Sequence, residues 1–573
     1  MGRRTISLVI TAALLLQPLA VRAAAPAPVG AEHGMVVSAH RLASEAGVEV
    51  LKKGGNAVDA AIAVAYALAV TYPEAGNIGG GGFMTVRWRD GREAFIDFRE
   101  EAPGAATATL YQNAKGEVVP GLSTRGYLAV GVPGTVAGLE LARQSFGSLP
   151  RGELMAPAIA LARDGFILDQ ADADFLAEGA EDFAKDPPSA AVFLHDGRPW
   201  RKGERLVQTD LAHTLEAISD RGADGFYRGE AARRIVAASG AHGGILSLSD
   251  FEAYRALSRA PLDCDYRGYH IVSAPPPSSG GVVICETLGI LSGYPLGQMG
   301  FASSSEAHVL TEALRRAYHD RNLELGDPAF VHPDVARLIS PAYTAQLRAG
   351  IFMDHATPSA SLGGVTPSHE GTSTTHFSIV DAQGDAVSLT YTLNDWFGAR
   401  VMAPGTGVLL NDEMDDFSSK PGVPNQFGLV EGANNAIAPR KRPLSSMSPS
   451  LVTRDGQLVM VVGTPGGSRI PSAVIQVLIN AIDYDMTLTE AVDAPRLHEQ
   501  WLPDILYYEP FALSADTMAA LAAKGHRLQQ VGYDNQVAAI LVGAPALGAK
   551  PVGSDRLYGA LDPRLPTGSV DGY

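Results

Sequence analysis

Apolar positions recur along the chain in two different periods. Residues 43–70 carry them at helical spacing on both sides of Gly54-Gly55-Asn56, which predicts a helical hairpin with an alanine-rich apolar stripe over 57–70. From about residue 133 to 348 the helical period dominates. It is broken at Pro275-Pro276-Pro277-Ser278-Ser279-Gly280-Gly281, between a predicted strand and a predicted helix. Elsewhere the period is two. Residues 83–88 read as a strand, and 374–380 and 386–393 as the arms of a hairpin that turns at Asp381-Ala382-Gln383-Gly384-Asp385. Residues 458–462 read as a further strand, ending in Gly463-Thr464-Pro465-Gly466-Gly467-Ser468. The pattern alone defines a mixed α and β chain without internal repeats.

Residues 354–373 follow neither period. Ser, Thr, Pro, Gly and His predict an exposed linker there, and it runs directly into the strand that opens at Thr374. A linker feeding a central-looking hairpin is unusual inside one domain. It makes sense if the chain is cut at that junction.

Composition narrows the function classes. The 573 residues are 46% hydrophobic and 19% charged, enough apolar material for a large globular core. A net charge of −17 offers no basic surplus for phosphates and argues against a nucleic-acid partner. Residues 1–24 read as a secretory signal peptide: Arg3 and Arg4, an apolar run over 6–16, then small residues ending at Arg22-Ala23-Ala24-Ala25. That run is too short for about 30 Å of hydrocarbon. The expectation is therefore a periplasmic or secreted protein with no membrane span after signal removal. Cys264 and Cys285 fit either one bridge or two separate buried thiols. The 14 histidines show no His-Glu-x-x-His spacing, and no metal site is expected. The four glycines 79–82 are not followed by Gly-Lys-Ser/Thr, so close backbone packing or a binding loop is a better reading than a phosphate loop.

Seven ordered segments carry a resemblance. They are Gly-Gly-Asn-Ala-Val-Asp-Ala-Ala (54–61), Ala-Gly-Asn-Ile-Gly-Gly-Gly-Gly (75–82), Asp-Phe-Arg-Glu (97–100), Thr-Thr-His-Phe-Ser (374–378), Leu-Asn-Asp-Glu-Met-Asp-Asp-Phe (410–417), Arg-Pro-Leu-Ser-Ser-Met-Ser-Pro (442–449) and Gly-Thr-Pro-Gly-Gly-Ser-Arg (463–469). Together they resemble the γ-glutamyltransferase family of N-terminal nucleophile hydrolases. The resemblance implies an α+β fold, a four-layer αββα sandwich. It implies cleavage between Ser373 and Thr374 into a large subunit (25–373) and a small one (374–573) that stay together as a heterodimer. The chemistry agrees with it. A threonine hydroxyl needs a neighbouring base, and cleavage would create one in place, an α-amino group of pKa about 7.7–8.0. Thr372 and Thr375 are the competing hydroxyls; the family match selects Thr374.

The resemblance also implies a donor with an α-carboxylate and an α-ammonium, such as glutathione or glutamine, with water, amino acids or peptides as acceptors and no cofactor. Arg99 matches the carboxylate clamp, because its fork suits a carboxylate, unless it serves as an ion pair with Glu100 or Glu101. Ser445 and Ser446 match hydroxyl donors to the same carboxylate, and Asp416, Asn394 and Glu413 the ammonium set. Gly466 and Gly467 match an oxyanion hole, and Thr392 a residue that hydrogen-bonds the nucleophile and assists processing. Residues 421–428 match a lid loop. Phe427 stands there where many bacterial members carry Tyr, and Trp396 is an aromatic that could pack on it. Two rivals remain at this level: a glutaryl (cephalosporin) acylase on the same scaffold, and an unprocessed periplasmic protein that binds glutamyl groups.

Overall fold

Alternation along the hairpin sorts the chain into layers. In strand Thr375–Val380, Phe377 and Ile379 enter one apolar core, whereas His376 and Ser378 turn the other way. Its partner Ala386–Thr392 does the same, with Val387, Leu389 and Tyr391 outward and Ser388, Thr390 and Thr392 inward. The structure, a computed structural model, describes residues 25–363, 374–532 and 535–573. The predicted signal peptide and the second half of the predicted linker, Ser373 included, lie outside them.

The hairpin forms the centre of a seven-stranded antiparallel sheet. Its order is Ser569–Gly572, Met35–Ser38, Thr375–Val380, Ala386–Thr392, Gly81–Arg87, Glu93–Phe98 and Leu257–Arg259. A second antiparallel sheet of seven runs Val29–Ala31, Leu557–Leu561, Ala538–Val542, Gln457–Gly463, Ser450–Arg454, Tyr269–Ser273 and Leu262–Tyr266. Val37, Val380 and Ala386 of the first meet Val272, Leu451, Val461 and Ile540 of the second in a core between the sheets. Each sheet buries its other face under helices. Arg41–Lys52, Ala57–Thr71, Thr135–Phe146 and Arg151–Asp164 cover the first, and Gly280–Leu291, Ser304–Glu324 and Ile470–Asp483 the second. Helix, sheet, sheet, helix is the expected four-layer order.

The helical hairpin forms as expected, with one difference. Ala57–Thr71 is buried on every side rather than along a stripe, because it lies between the sheet and three other helices. Asn56 and Asp59 close a capping box at its start, and Asp59 also accepts from Ser148 Oγ at 2.5 Å. The proline-rich break falls between strand Tyr269–Ser273 and helix Gly280–Leu291. A disulfide joins Cys264 to Cys285, which resolves the choice the sequence left open.

Candidate active site

The hairpin register places the first pair of groups. Thr375 pairs with Tyr391, so Thr374 falls opposite Thr392 on the inner face. Thr374 Oγ1 donates to Thr392 Oγ1 at 3.3 Å, and Thr392 Oγ1 also accepts from the Asn394 amide at 2.8 Å. Thr375 points to the opposite face, away from this pocket. Nearby His376 is fully buried between Thr390 and Ser378, and burial pushes its pKa down to about 3, so the ring is neutral. The ring occupies the space a Cβ on Gly463 would need, 2.3 Å away at the nearest.

Strand Gln457–Gly463 then leads to Gly466 (φ +129°) and Gly467 (φ +53°), backbone conformations that glycine reaches most readily. The two precede helix Ile470–Asp483, at the end where amides lack intrahelical acceptors. Thr374, Thr392 and Gly467 line one pocket with Arg99, Asn394, Glu413, Asp416, Ser445, Ser446 and Phe427. The resemblance thus names ten of the pocket's residues, and the fold gathers them from seven separate stretches of chain.

At the far end of this pocket the groups are charged and dry. Arg99 is fully buried and donates to Glu413 and Asp416, with Glu100 at 3.5 Å. Its expected alternative partner Glu101 instead pairs with Arg442 at 3.1 Å. Burial raises the carboxyls: Glu100 to about 8, Glu413 well above its usual range and Asp416 in the same direction, with Arg99 opposing the shift in all three. Ser445 is held by the proline-rich segment. Its amide donates to Pro277 O at 2.9 Å, and its carbonyl accepts from the Ser279 amide at 2.7 Å. Sequence reasoning treated that segment only as a break. It also missed Arg321, a buried wall residue that reaches Ser446 Oγ at 3.5 Å and pairs with Glu431. Arg321 sits in a long helix with other arginines, and nothing in the local pattern singles it out.

Of the expected lid residues, Phe427 lines the pocket, and the loop around it is tied down by hydrogen bonds. Asn425 Oδ1 accepts from the Phe427 and Leu429 amides, Gln426 N donates to Asp415 Oδ2 at 2.8 Å, and Gln426 Nε2 to Asp412 Oδ2 at 3.2 Å. Phe427 is buried in the core of the second helical layer. Trp396 lies against the first core, edge-on to Phe175 at 6.2 Å, so it is not the aromatic partner of Phe427. Asn394 Nδ2 donates to Asp412 O at 3.1 Å. Away from the pocket, His308, Glu312 and His526 bring possible ligand atoms within 4.8 Å. The two rings bond each other at 2.7 Å, and Glu312 is engaged by Arg315, Arg316 and the Thr357 amide, which makes the cluster an ion-paired clamp.

Two antiparallel sheets stacked between helices, with a threonine at the start of a central strand facing the space between them, define the N-terminal nucleophile hydrolase class. Within it the chain belongs to the gamma-glutamyltranspeptidase family, whose model matches residues 43–570. A glutathione hydrolase proenzyme of Pseudomonas sp. (strain A14) is 58% identical over 554 residues, 96% of each chain. One from Escherichia coli (strain K12) is 46% identical over 549 residues, 95% of this chain and 93% of that one. Among solved structures, a cephalosporin acylase from Bacillus halodurans superposes with a TM-score of 0.82 at 28% identity, covering 98% of this chain and 99% of that one.

Proposed function

We propose that this chain is a self-processing γ-glutamyltransferase and glutathione hydrolase that uses Thr374 as nucleophile. The observation that carries the reading is the joining of two ends in one pocket. The Thr374–Thr392 hydroxyl pair and the positive-φ Gly467 stand at one end, and Arg99 with Glu413 and Asp416 at the other. Cleavage before Thr374 would free its α-amino group, which takes the Oγ1 proton as the oxygen attacks the γ-carbonyl. The Gly466 and Gly467 amides would receive the oxyanion, and the departing amine would leave with the transferred proton. Water or an amino-acid amine then opens the Thr374 ester. On this reading residues 1–24 are a signal peptide and the product is periplasmic or secreted. Residues 25–373 and 374–573 remain together as a heterodimer. Among the described residues no helix is long and apolar enough to cross a membrane.

The donor end discriminates between the two acyl classes. A zwitterionic glutamyl head can exchange partners within the Arg99–Glu413–Asp416 cluster: its carboxylate takes Arg99 and its ammonium takes the acids, with the net charge unchanged. A glutaryl group brings only the carboxylate and would leave buried acids without their cation. Removing one partner of a buried pair costs about 3–5 kcal/mol. That favours γ-glutamyl donors over the acylase reading by about two orders of magnitude or more. The test is a denaturing gel beside assays with γ-glutamyl and glutaryl anilides. Two fragments of roughly 37 and 21 kDa, in proportion to 60.0 kDa for the whole chain, and turnover of the glutamyl anilide are expected. A single unprocessed chain without turnover overturns the reading in favour of a binding protein, and preference for the glutaryl anilide overturns it in favour of an acylase.

A further inference from the structure

Between the lid and the oxyanion loop lies a side chain that neither the sequence pattern nor the family segments single out. Gln500 is fully buried. Its Nε2 donates to the carbonyl of Phe427 at 3.1 Å and, more weakly, to that of Leu502 at 3.4 Å. Two carbonyl partners fix the NH2 on that side. Oε1 is then left to accept from Ser468 Oγ at 2.7 Å and His498 Nε2 at 2.9 Å. The chain closes without a mismatch. His498 is buried and neutral, its pKa pushed down to about 3 by burial. With the proton on Nε2, its Nδ1 accepts from Ser472 Oγ at 2.7 Å, in the first turn of helix Ile470–Asp483. Ser468 is held a second time through its carbonyl, which accepts from Tyr318 OH.

We propose that Gln500 is a positioning residue that couples closure of the lid to the geometry of the oxyanion loop. The inference rests on the assignment of Gly466 and Gly467 made above. Ser468 follows Gly467 directly, and its side chain ends on the same amide that holds the lid carbonyl. When the lid lifts, Phe427 O leaves and a buried N–H loses its acceptor. An unsatisfied donor in a dry site is costly, so the amide turns toward a new partner and Oε1 moves off Ser468. The loop is then free to relax, and oxyanion donors lose their effect over shifts of a fraction of an ångström. Acyl chemistry is therefore fast only under a closed lid, although the lid itself contributes no group to the reaction.

A double-mutant cycle separates coupling from two independent defects. Gln426→Ala loosens the lid from Asp412, and Ser468→Ala cuts the link on the oxyanion side without touching the lid. Each should lower kcat for a γ-glutamyl anilide about 5- to 10-fold with KM within about two-fold, and the double variant should lose no more than the worse single. Multiplied losses in the double variant overturn the proposal. Gln500→Met, which has similar length and neither donor nor acceptor, should show in one protein both the kcat loss and the altered transfer-to-hydrolysis ratio of the lid variant. A change in KM alone also overturns the proposal. If Gln500→Met does not process, the cycle still decides. A wild-type protein that fails to cleave the anilide defeats the site assignment itself, whereas an active wild type with additive variants defeats only the coupling.

Discussion

The two ends of the pocket are built from opposite materials. At the nucleophile end of the uncut chain the groups are neutral: two threonine hydroxyls, glycine amides, and His376 and His498 held uncharged by burial. At the donor end Arg99 and Arg321 face Glu100, Glu413, Asp416 and Glu431, four buried acids against two cations, and burial pushes all four carboxyls up. The first end depends on distances and on which way a hydroxyl or amide points. The second depends on charge, and its acids hold protons at pH values where free carboxyls would not. Substitutions at the first should therefore act on rate with little change of pH profile. Those at the second should act on binding and stability, with a strong one.

The largest effect is expected at the neutral end. Thr374→Ala should leave a single chain on a denaturing gel and abolish turnover, a loss of about 10³-fold or more. N-terminal sequencing of the wild-type small fragment should begin at Thr374, and any other start removes the proposal. Thr392→Val keeps the shape and removes the hydroxyl, and should cost about 10- to 100-fold in kcat with KM nearly unchanged. A pure KM effect would erase the contrast between the two ends.

Arg99→Met comes next. It leaves three buried acids without their shared cation, a loss of about 3–5 kcal/mol when they are charged. The sign with pH follows from the acids. As pH falls they take up protons, the missing cation matters less, and the gap in Tm from wild type should be narrower at pH 5 than at pH 8. A gap independent of pH would mean that Arg99 does not hold these carboxyls in solution. Arg99→Lys should keep most of the stability but raise KM strongly, since a point charge cannot replace a bidentate fork.

These expectations draw unevenly on the sequence. The hairpin and its turn were readable from strand-like residues flanking Asp381-Ala382-Gln383-Gly384-Asp385, but both strands are buried on both faces, so alternation alone did not say which way Thr374 and Thr392 point. The helical hairpin around Gly54-Gly55-Asn56 was readable for the same kind of reason. The layer order and the roles of Arg99, Asp416 and Ser445 came from resemblance; no local pattern brings residues more than 300 positions apart into one pocket. Arg321, Gln500 and the buttress formed by residues 275–279 stayed hidden, since an arginine in a helix or a glutamine after a strand has no local signature. The reciprocal pairing of Arg99 with both ammonium-side acids was equally invisible, because it depends on which charges share one dry space.

A smaller effect separates the donor end from burial in general. Glu74 is a buried acid in a separate, mostly apolar pocket, its pKa raised by burial to about 8. The folded state then binds a proton more tightly than the unfolded chain, so stability is fullest below the unfolded value of about 4.5 and falls as pH rises toward about 8. Glu74→Gln should flatten the decline of unfolding free energy between pH 5 and 8 by up to about 1.4 kcal/mol per pH unit. The pH profile of KM should stay where it was, and a shifted one would show that the charge of the donor pocket is not local to it.

The smallest effect concerns Phe427. Its ring and Asn394 line the same pocket, and Asn394 Nδ2 is engaged by Asp412 O, so the Asn394 acceptor available to a new hydroxyl is Oδ1. Phe427→Tyr would supply a hydroxyl. A net hydrogen bond is worth about 0.5–1.5 kcal/mol, but the lid is already held by Gln426 on Asp412 and Asp415 and by Gln500 on the Phe427 carbonyl. The added bond therefore stabilises a state that is largely populated, and the gain should sit at the low end of that range. Both water and an amine need the oxyanion loop that the closed lid keeps in order, but the amine also needs an ordered acceptor site and so gains more from a lid that stays closed. The transfer-to-hydrolysis ratio should rise about two- to three-fold in Phe427→Tyr, measured with an anilide donor and a dipeptide acceptor at fixed pH. Trp396→Ala should leave the ratio unchanged, since Trp396 packs on Phe175 in the other core. An unchanged ratio in Phe427→Tyr beside a changed one in Trp396→Ala would mean that aromatic contact, not hydrogen bonding, governs the lid.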